Sequence, residues 1–180
     1  MAITRADALK NREHILQVAH DAFAEDGSVS LNVIAKRAGV GAGTLYRHFP
    51  TREDLLLAVY RHDMQRVVDS VPKLLAEHEP LDAFRQWFET LADYVRIKHG
   101  LGDALNSANA QAVIGETTAP VTAAVGGLLR ACEAAGSLRP GLDPADVLLL
   151  MSFMWRTGEG RPARERARRL MEIAIDGFTN

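Results

Sequence analysis

Cysteine is nearly missing from this chain: Cys132 is the one such residue in 180. A lone thiol closes no intramolecular disulfide and builds no multi-cysteine zinc site, which fits a reducing compartment. Cys132 itself reads as a small buried hydrophobe. Long apolar runs are missing too. A membrane helix needs about 20 apolar residues, and the longest run, around Val147 to Met151, is far shorter. The opening MAITRADALKNR lacks the apolar stretch of a signal peptide. These absences predict a cytoplasmic protein with no membrane partner. There is also no excess of one charge sign. The net charge is −2, and residues 1–60 hold seven Lys or Arg against seven Asp or Glu. That argues against a non-specific nucleic-acid coat, though one local face can still suit DNA.

What is present is a globular mixture, 47% apolar and 24% charged, sufficient for a sizeable core. No strand-like alternation persists, whereas apolar spacings of three and four recur from end to end, so the fold is predicted to be all-α. A first helix runs from about Asn11 to Asp26, with Ile15, Ala19, Ala22 and Phe23 on one face and Gly27 as a left-handed stop. Ser30 caps a second helix, on which Leu31, Ile34, Ala35 and Ala38 share a face until Gly39 turns the chain. A short third helix covers Gly41 to His48. Thr51 with Asp54 forms an acidic capping box for a fourth, which kinks or stops at Pro72. Further helices are expected from Leu81 to His99, weakly over 103–114, from Pro120 to Ala135 up to Gly136, over Val147 to Trp155 with Asp143 and Pro144 at its start, and at the C-terminus.

Three short helices with a tight turn between the last two match a helix-turn-helix, whose later helix enters the major groove. The faces of the third helix support this. Leu45 and Phe49, at i and i+4, must point inward with Val40 nearby. Ala42, Gly43 and Tyr46 lie on another face, where two nearly absent side chains let the backbone approach base edges. Thr44 and His48 occupy a flank suited to phosphates. Gly41 and Gly43 each cost a helix about 1 kcal/mol relative to Ala, so propensity alone argues for a loop; the caps and the inward pair outweigh it. An N-terminal arm with Arg5, Lys10 and Arg12 would either add minor-groove or phosphate contacts or be a frayed tail.

Residues Val33 to Val40 (VIAKRAGV), Gly43 to Pro50 (GTLYRHFP) and Arg52 to Leu55 (REDL) resemble the tetracycline-repressor (TetR) family of bacterial regulators. The resemblance covers about residues 12–60, a third of the chain. It implies a helix-turn-helix DNA-binding domain over residues 1–50 and a helical effector-binding and dimerisation domain over 51–180. It further implies that Ala42, Gly43 and Tyr46 face bases or sugars, that Thr44, His48 and Arg52 hold phosphates, that Asn32 and Lys36 approach the neighbouring backbone or bases, and that Arg47 reaches either. Gly41 and Ala42 depart from the family, where polar residues are common. Affinity is therefore expected to lean on phosphate contacts and DNA shape.

A palindromic double-stranded operator requires a two-fold protein with recognition helices about 34 to 36 Å apart. The segment Val147 to Trp155 is apolar almost all round, so it is either a fully buried central helix or one with a second partner surface, and with the final helix it suits an intermolecular four-helix bundle, as the family resemblance also implies. Leu148, Met151, Phe153, Trp155, Leu170, Ala174 and Phe178 are its candidate residues. Between lies an aromatic segment with scattered polar groups, the composition of either a core or a ligand pocket. The resemblance implies a small-molecule effector there, against Phe84, Trp87, Phe88, Tyr94, Asn106, Asn109, Gln111 and Thr122, coupled to DNA through the fourth helix. No cofactor or metal is expected. An enzyme is the main rival reading, but no second histidine stands three or four residues from His62 and Asp63, and no phosphate loop or nucleophile elbow occurs. The other rival is a helix-turn-helix that meets a protein partner instead of DNA.

Overall fold

Helix ends here are made by side chains that supply hydrogen bonds the helix itself lacks. The structure is a computed structural model that describes residues 5–99, 107–158 and 160–179. Among these residues every regular element is helical. The order is α1 (Arg5–Glu25), α2 (Leu31–Arg37), α3 (Ala42–His48), α4 (Arg52–Asp69), α5 (Val71–Glu77), α6 (Pro80–His99), α7 (Ala108–Ala134), α8 (Pro144–Leu150) and α9 (Arg161–Phe178). A 3₁₀ segment, Met151–Trp155, follows α8.

Three caps sit where the sequence predicts them. Ser30 Oγ accepts from the Val33 amide at 3.4 Å. Asp143 Oδ1 accepts from the amides of Ala145 and Asp146 at 2.8 and 3.0 Å. Thr51 and Asp54 exchange bonds, Thr51 N to Asp54 Oδ2 at 3.0 Å and Asp54 N to Thr51 Oγ1 at 3.1 Å. Gly39 and Gly136 stop their helices with φ of 65° and 69°.

Other boundaries differ from expectation. α1 ends at Glu25, and Gly27 is not among the left-handed glycines. Instead the Asp26 carboxylate accepts from Ser28 N and Ser28 Oγ at 2.8 and 2.7 Å, closing the turn and holding the Asp26 carboxyl below its ordinary range. Pro72 sits in the first turn of α5 after α4 has stopped. Pro120 lies inside α7 rather than opening a helix. One turn upstream, the hydroxyls of Thr117 and Thr118 both donate to the Ile114 carbonyl at 3.0 and 2.8 Å. The joined α7 is long and apolar enough, by length and composition, to cross a membrane, with a mean hydropathy of 1.3. The expectation that no segment reaches that length therefore fails. A buried face of Val121, Val125, Leu128 and Cys132 accounts for much of its apolarity. Burial also pushes the Cys132 thiol up.

The chain divides into two compact units, Met1–His62 with Ile97–Val113, and Asp63–Arg96 with Ile114–Asn180. The start of α4 and the segment Ile97–Val113 thus group with the helix-turn-helix, not with a second domain beginning at residue 51. The core of the first unit joins Ile15, Leu16, Phe23, Ile34, Leu45, Phe49 and Leu55 with Ala110 and Val113 of α7. Ser107 Oγ accepts from the Ala110 amide and donates to Glu53 Oε1 at 2.5 Å, so the start of α7 is tied to the start of α4.

In the second unit, Phe84, Trp87 and Phe88 are fully buried, with ring centroids 4.8 and 5.1 Å apart along the cluster. The Trp87 indole donates to the Val67 carbonyl at 2.8 Å, which satisfies its polar end. α9 lies antiparallel to α6 in a register marked by three ion pairs. Arg85 meets Glu172 at 2.8 Å, Glu89 meets Arg168 at 2.7 Å, and Asp93 meets Arg164 at 3.5 Å. Each step of four up α6 is matched by a step of four down α9. The Arg85 guanidinium holds the Glu172 carboxyl below its usual range.

Candidate nucleic-acid interface

α2 and α3 are each seven residues long, too short to persist alone in water. Packing holds them. α2 buries Leu31, Ile34 and Ala35, and α3 buries Leu45, with Phe49 buried just past its end and Val40 half-buried against the same core. Between them, Gly39 takes the left-handed conformation that makes the turn, and Val40 N donates to Ala35 O at 3.0 Å.

α3 differs from its neighbour at its start. Its N-cap is Gly41, at φ −65° and ψ 140°, with no side chain to accept from the first amides. Apart from Leu45, every residue from Ala42 to His48 is exposed. A Cβ added at Gly43 would meet no atom within 4 Å, and one at Gly41 would meet only Thr44 Oγ1, at 3.9 Å. Neither glycine has a positive φ. Internal packing and backbone geometry therefore leave both glycines unexplained.

The exposed face gathers Ala42, Gly43, Thr44, Tyr46, Arg47 and His48 on α3, with Tyr46 at 43% exposure, and Asn32 and Lys36, one turn apart, on α2. Val33 is exposed as well, although nothing in its residue type or spacing singles it out. Arg37, next to Lys36, pairs with Glu25 at 2.6 Å.

Arg52 departs from its expected place. It is half-buried, donates from Nε to the Val29 carbonyl at 3.4 Å and from Nη2 to the Gly27 carbonyl, and stacks 5.1 Å over the Phe23 ring. Its donors bind the α1–α2 turn, so in this conformation it positions the motif instead of presenting a charge to phosphate. Arg12 likewise stacks on Phe49, 5.7 Å from the ring centroid. Arg5, Lys10 and Arg12 all belong to α1 and not to an extended arm.

The residues considered for an effector pocket are not gathered by the described structure. Phe84, Trp87 and Phe88 form core, and Tyr94 is half-buried on the same helix. Thr122 lines an open groove along α7 with Thr118, Ala119, Ala123 and Arg130. Asn109 and Gln111 are exposed at the start of α7, in the first unit, and Asn106 lies outside the described residues. Among the described residues no three metal-ligating side chains cluster.

Two of the residues expected at a dimer interface need correction: Met151 and Phe178 are buried within the protomer. Leu148, Phe153, Trp155 and Ala174 are half-buried, and Leu170 is 37% exposed. The outward apolar residues are instead Leu149, Leu150 and Ile173, at 72%, 53% and 67% exposure. Val147, Met151 and Met154, at i, i+4 and i+7, form the inner face, but in a segment apolar almost all round that spacing does not stand out from the outward Leu149 and Leu150.

Residues 15–59 match the family described as bacterial regulatory proteins of the tetR family, and residues 79–180 match the SbtR-like transcriptional regulator C-terminal domain. An HTH-type transcriptional regulator of Staphylococcus aureus is 44% identical over 66 residues, which span 36% of this chain and 36% of that protein. The chain thus aligns with about a third of that curated relative's length. Likeness to solved structures runs further. A TetR transcriptional regulator from Streptomyces coelicolor is 38% identical with a TM-score of 0.81, covering 93% of this chain and 97% of its own. A TetR transcription regulatory protein from Mycobacterium vanbaalenii is 34% identical with a TM-score of 0.76, covering 97% and 98%. Matched in both its parts, and aligned nearly end to end with solved regulators, the chain belongs to the TetR family: it is a DNA-binding helix-turn-helix transcriptional regulator and not an enzyme.

Proposed function

We propose that this regulator is a repressor that binds a palindromic double-stranded operator as a homodimer in the cytoplasm and leaves it when a small-molecule effector binds. The observation that carries the DNA-facing part is the bare start of α3: Gly41 and Gly43 are exposed and demanded by nothing inside the protein. A backbone without side chains approaches base edges closely, and the Ala42 methyl suits a thymine methyl. In this reading Tyr46 contacts bases or sugars, Thr44 and His48 contact phosphates, Asn32 and Lys36 reach the adjoining backbone, and Arg47 reaches either. Arg52 acts by holding the α1–α2 turn.

Operator binding tests this. Affinity should fall steeply with added salt, with a logarithmic slope of about 0.9 per phosphate neutralised. Tyr46→Ala combined with Thr44→Ala should abolish a genomic footprint while leaving the fold intact. A flat salt response, or an unchanged footprint, contradicts the assigned contacts. The dimer is supported by the outward Leu149, Leu150, Leu170 and Ile173, and sedimentation should give twice the 19.7 kDa chain mass. Repression is read from the promoter bearing the operator: deleting the gene should raise its transcription, and a fall would mean activation. An effector that favours the unbound conformer with a coupling of about 1–3 kcal/mol loosens DNA roughly 5- to 150-fold, and a metabolite screen for operator release would find it.

A further inference from the structure

Arg12 and Arg52 both set a guanidinium over an aromatic ring of the first unit, but they are held differently. Arg52 directs its donors inward, to the carbonyls of Gly27 and Val29. Arg12 is exposed, makes no hydrogen bond or ion pair among the described residues, and rests 5.7 Å from the centroid of the Phe49 ring. The pattern of α1 explains its place. Arg12, Ile15, Leu16 and Ala19 fall at i, i+3, i+4 and i+7, so Arg12 continues the buried stripe by one turn, to the rim of the core. Phe49 is buried at that rim as the C-cap of α3. Exposed His48 stands at the same end of α3, its ring centroid 6.2 Å from that of Phe49.

We infer that Arg12 supplies an operator phosphate contact at the C-terminal end of α3, the contact that the family resemblance implies for Arg52. This rests on α3 as the DNA-facing helix, proposed above, and adds to its contacts a residue of α1.

The geometry leaves Arg12 ready for this. A guanidinium lying over a ring keeps its N–H donors in its own plane, where a phosphate can accept two of them while the contact with the ring is kept. Arg52 would have to break two hydrogen bonds to carbonyls to do the same, and bonds from charged donors are the stronger kind. The ring also restricts a side chain that would otherwise sample many rotamers, which lowers the entropy lost on binding. Position agrees. α3 has seven residues and so is about 10 Å long, against a major groove about 12 Å wide; a group held just past its end meets the phosphate wall and not base edges. A cation is also favoured beside a helix C-terminus before any DNA arrives. Covering Phe49 does not by itself call for a charge, since an unbranched apolar side chain would cover it as well.

The test is the salt dependence of binding to the operator duplex recovered from the genomic footprint, followed with the full chain by fluorescence anisotropy between about 50 and 200 mM salt. Arg12→Met keeps a long side chain over Phe49 and removes the charge. It should weaken operator binding roughly tenfold or more at the low-salt end and reduce the logarithmic salt slope by about 0.9 for each protomer on the duplex, with the thermal midpoint little changed. Arg12→Lys should keep the unmodified slope. Arg52→Met should weaken binding with the slope intact, because it releases the α1–α2 turn without removing a phosphate contact. An unchanged slope in Arg12→Met overturns the assignment even if affinity falls, since a merely structural side chain lowers affinity without altering the slope. A slope that falls in Arg52→Met and not in Arg12→Met returns the contact to Arg52. If the unmodified protein shows no salt dependence, the DNA-facing reading of α3 fails and this contact with it; a steep unmodified slope that Arg12→Met leaves unchanged sinks the contact alone.

Discussion

α2 and α3 have the same length and share one core, yet they are finished differently. α2 has a side-chain cap at Ser30 and buries three of its residues. α3 has a bare glycine cap and buries Leu45 alone. One helix is completed by the protein, and the other is left open towards solvent. A stable α2, fixed by Gly39 and Val40 to the next turn, can carry an α3 that propensity disfavours. That division of labour suits a recognition element, whose exposed surface is shaped for a partner and whose position is set by its neighbour.

The sharpest way to break the contrast is to remove the anchor of α3. Leu45→Ala should cost about 2–5 kcal/mol in urea unfolding, and a cost well under this range would mean that α3 is held from elsewhere. Next come the two caps. Ser30→Ala should destabilise by about 1 kcal/mol, whereas Gly41→Ser should stabilise by a few tenths; equal and opposite effects would erase the difference between the helices. The smallest effect lies in the α6–α9 ion pairs, which are exposed and individually weak. Because Arg85 depresses the Glu172 carboxyl, its contribution is fully present above the ordinary carboxylate value of about 4.5 and is lost as pH falls through the lower folded value. Glu172→Gln should therefore flatten the acid limb of the stability profile slightly.

Local chemistry was legible in the sequence. Ser30, Thr51 with Asp54, and Asp143 with Pro144 announce helix starts within a few residues, and the i, i+4 spacing of Leu45 and Phe49 orients α3. Features that depend on distant partners were not. Arg52 reads as an exposed cation, but its partners are carbonyls of Gly27 and Val29, and backbone groups leave no mark in the sequence. Pro120 is equally at home in a first turn or, where packing holds the helix, within one. An almost wholly apolar segment hides its own faces, so Met151 and Leu149 were indistinguishable by composition although one is buried and the other is the most exposed large apolar residue described.

Gly43→Leu tests the central claim most directly. In the free protein a Cβ added at this position meets no atom within 4 Å, and leucine improves helix propensity by about 0.8 kcal/mol, so thermal stability should rise while operator affinity falls by at least roughly tenfold, the loss of a good base contact or more. A variant that is more stable and still binds its operator with undiminished affinity would contradict the reading of α3 as a bare face that approaches DNA.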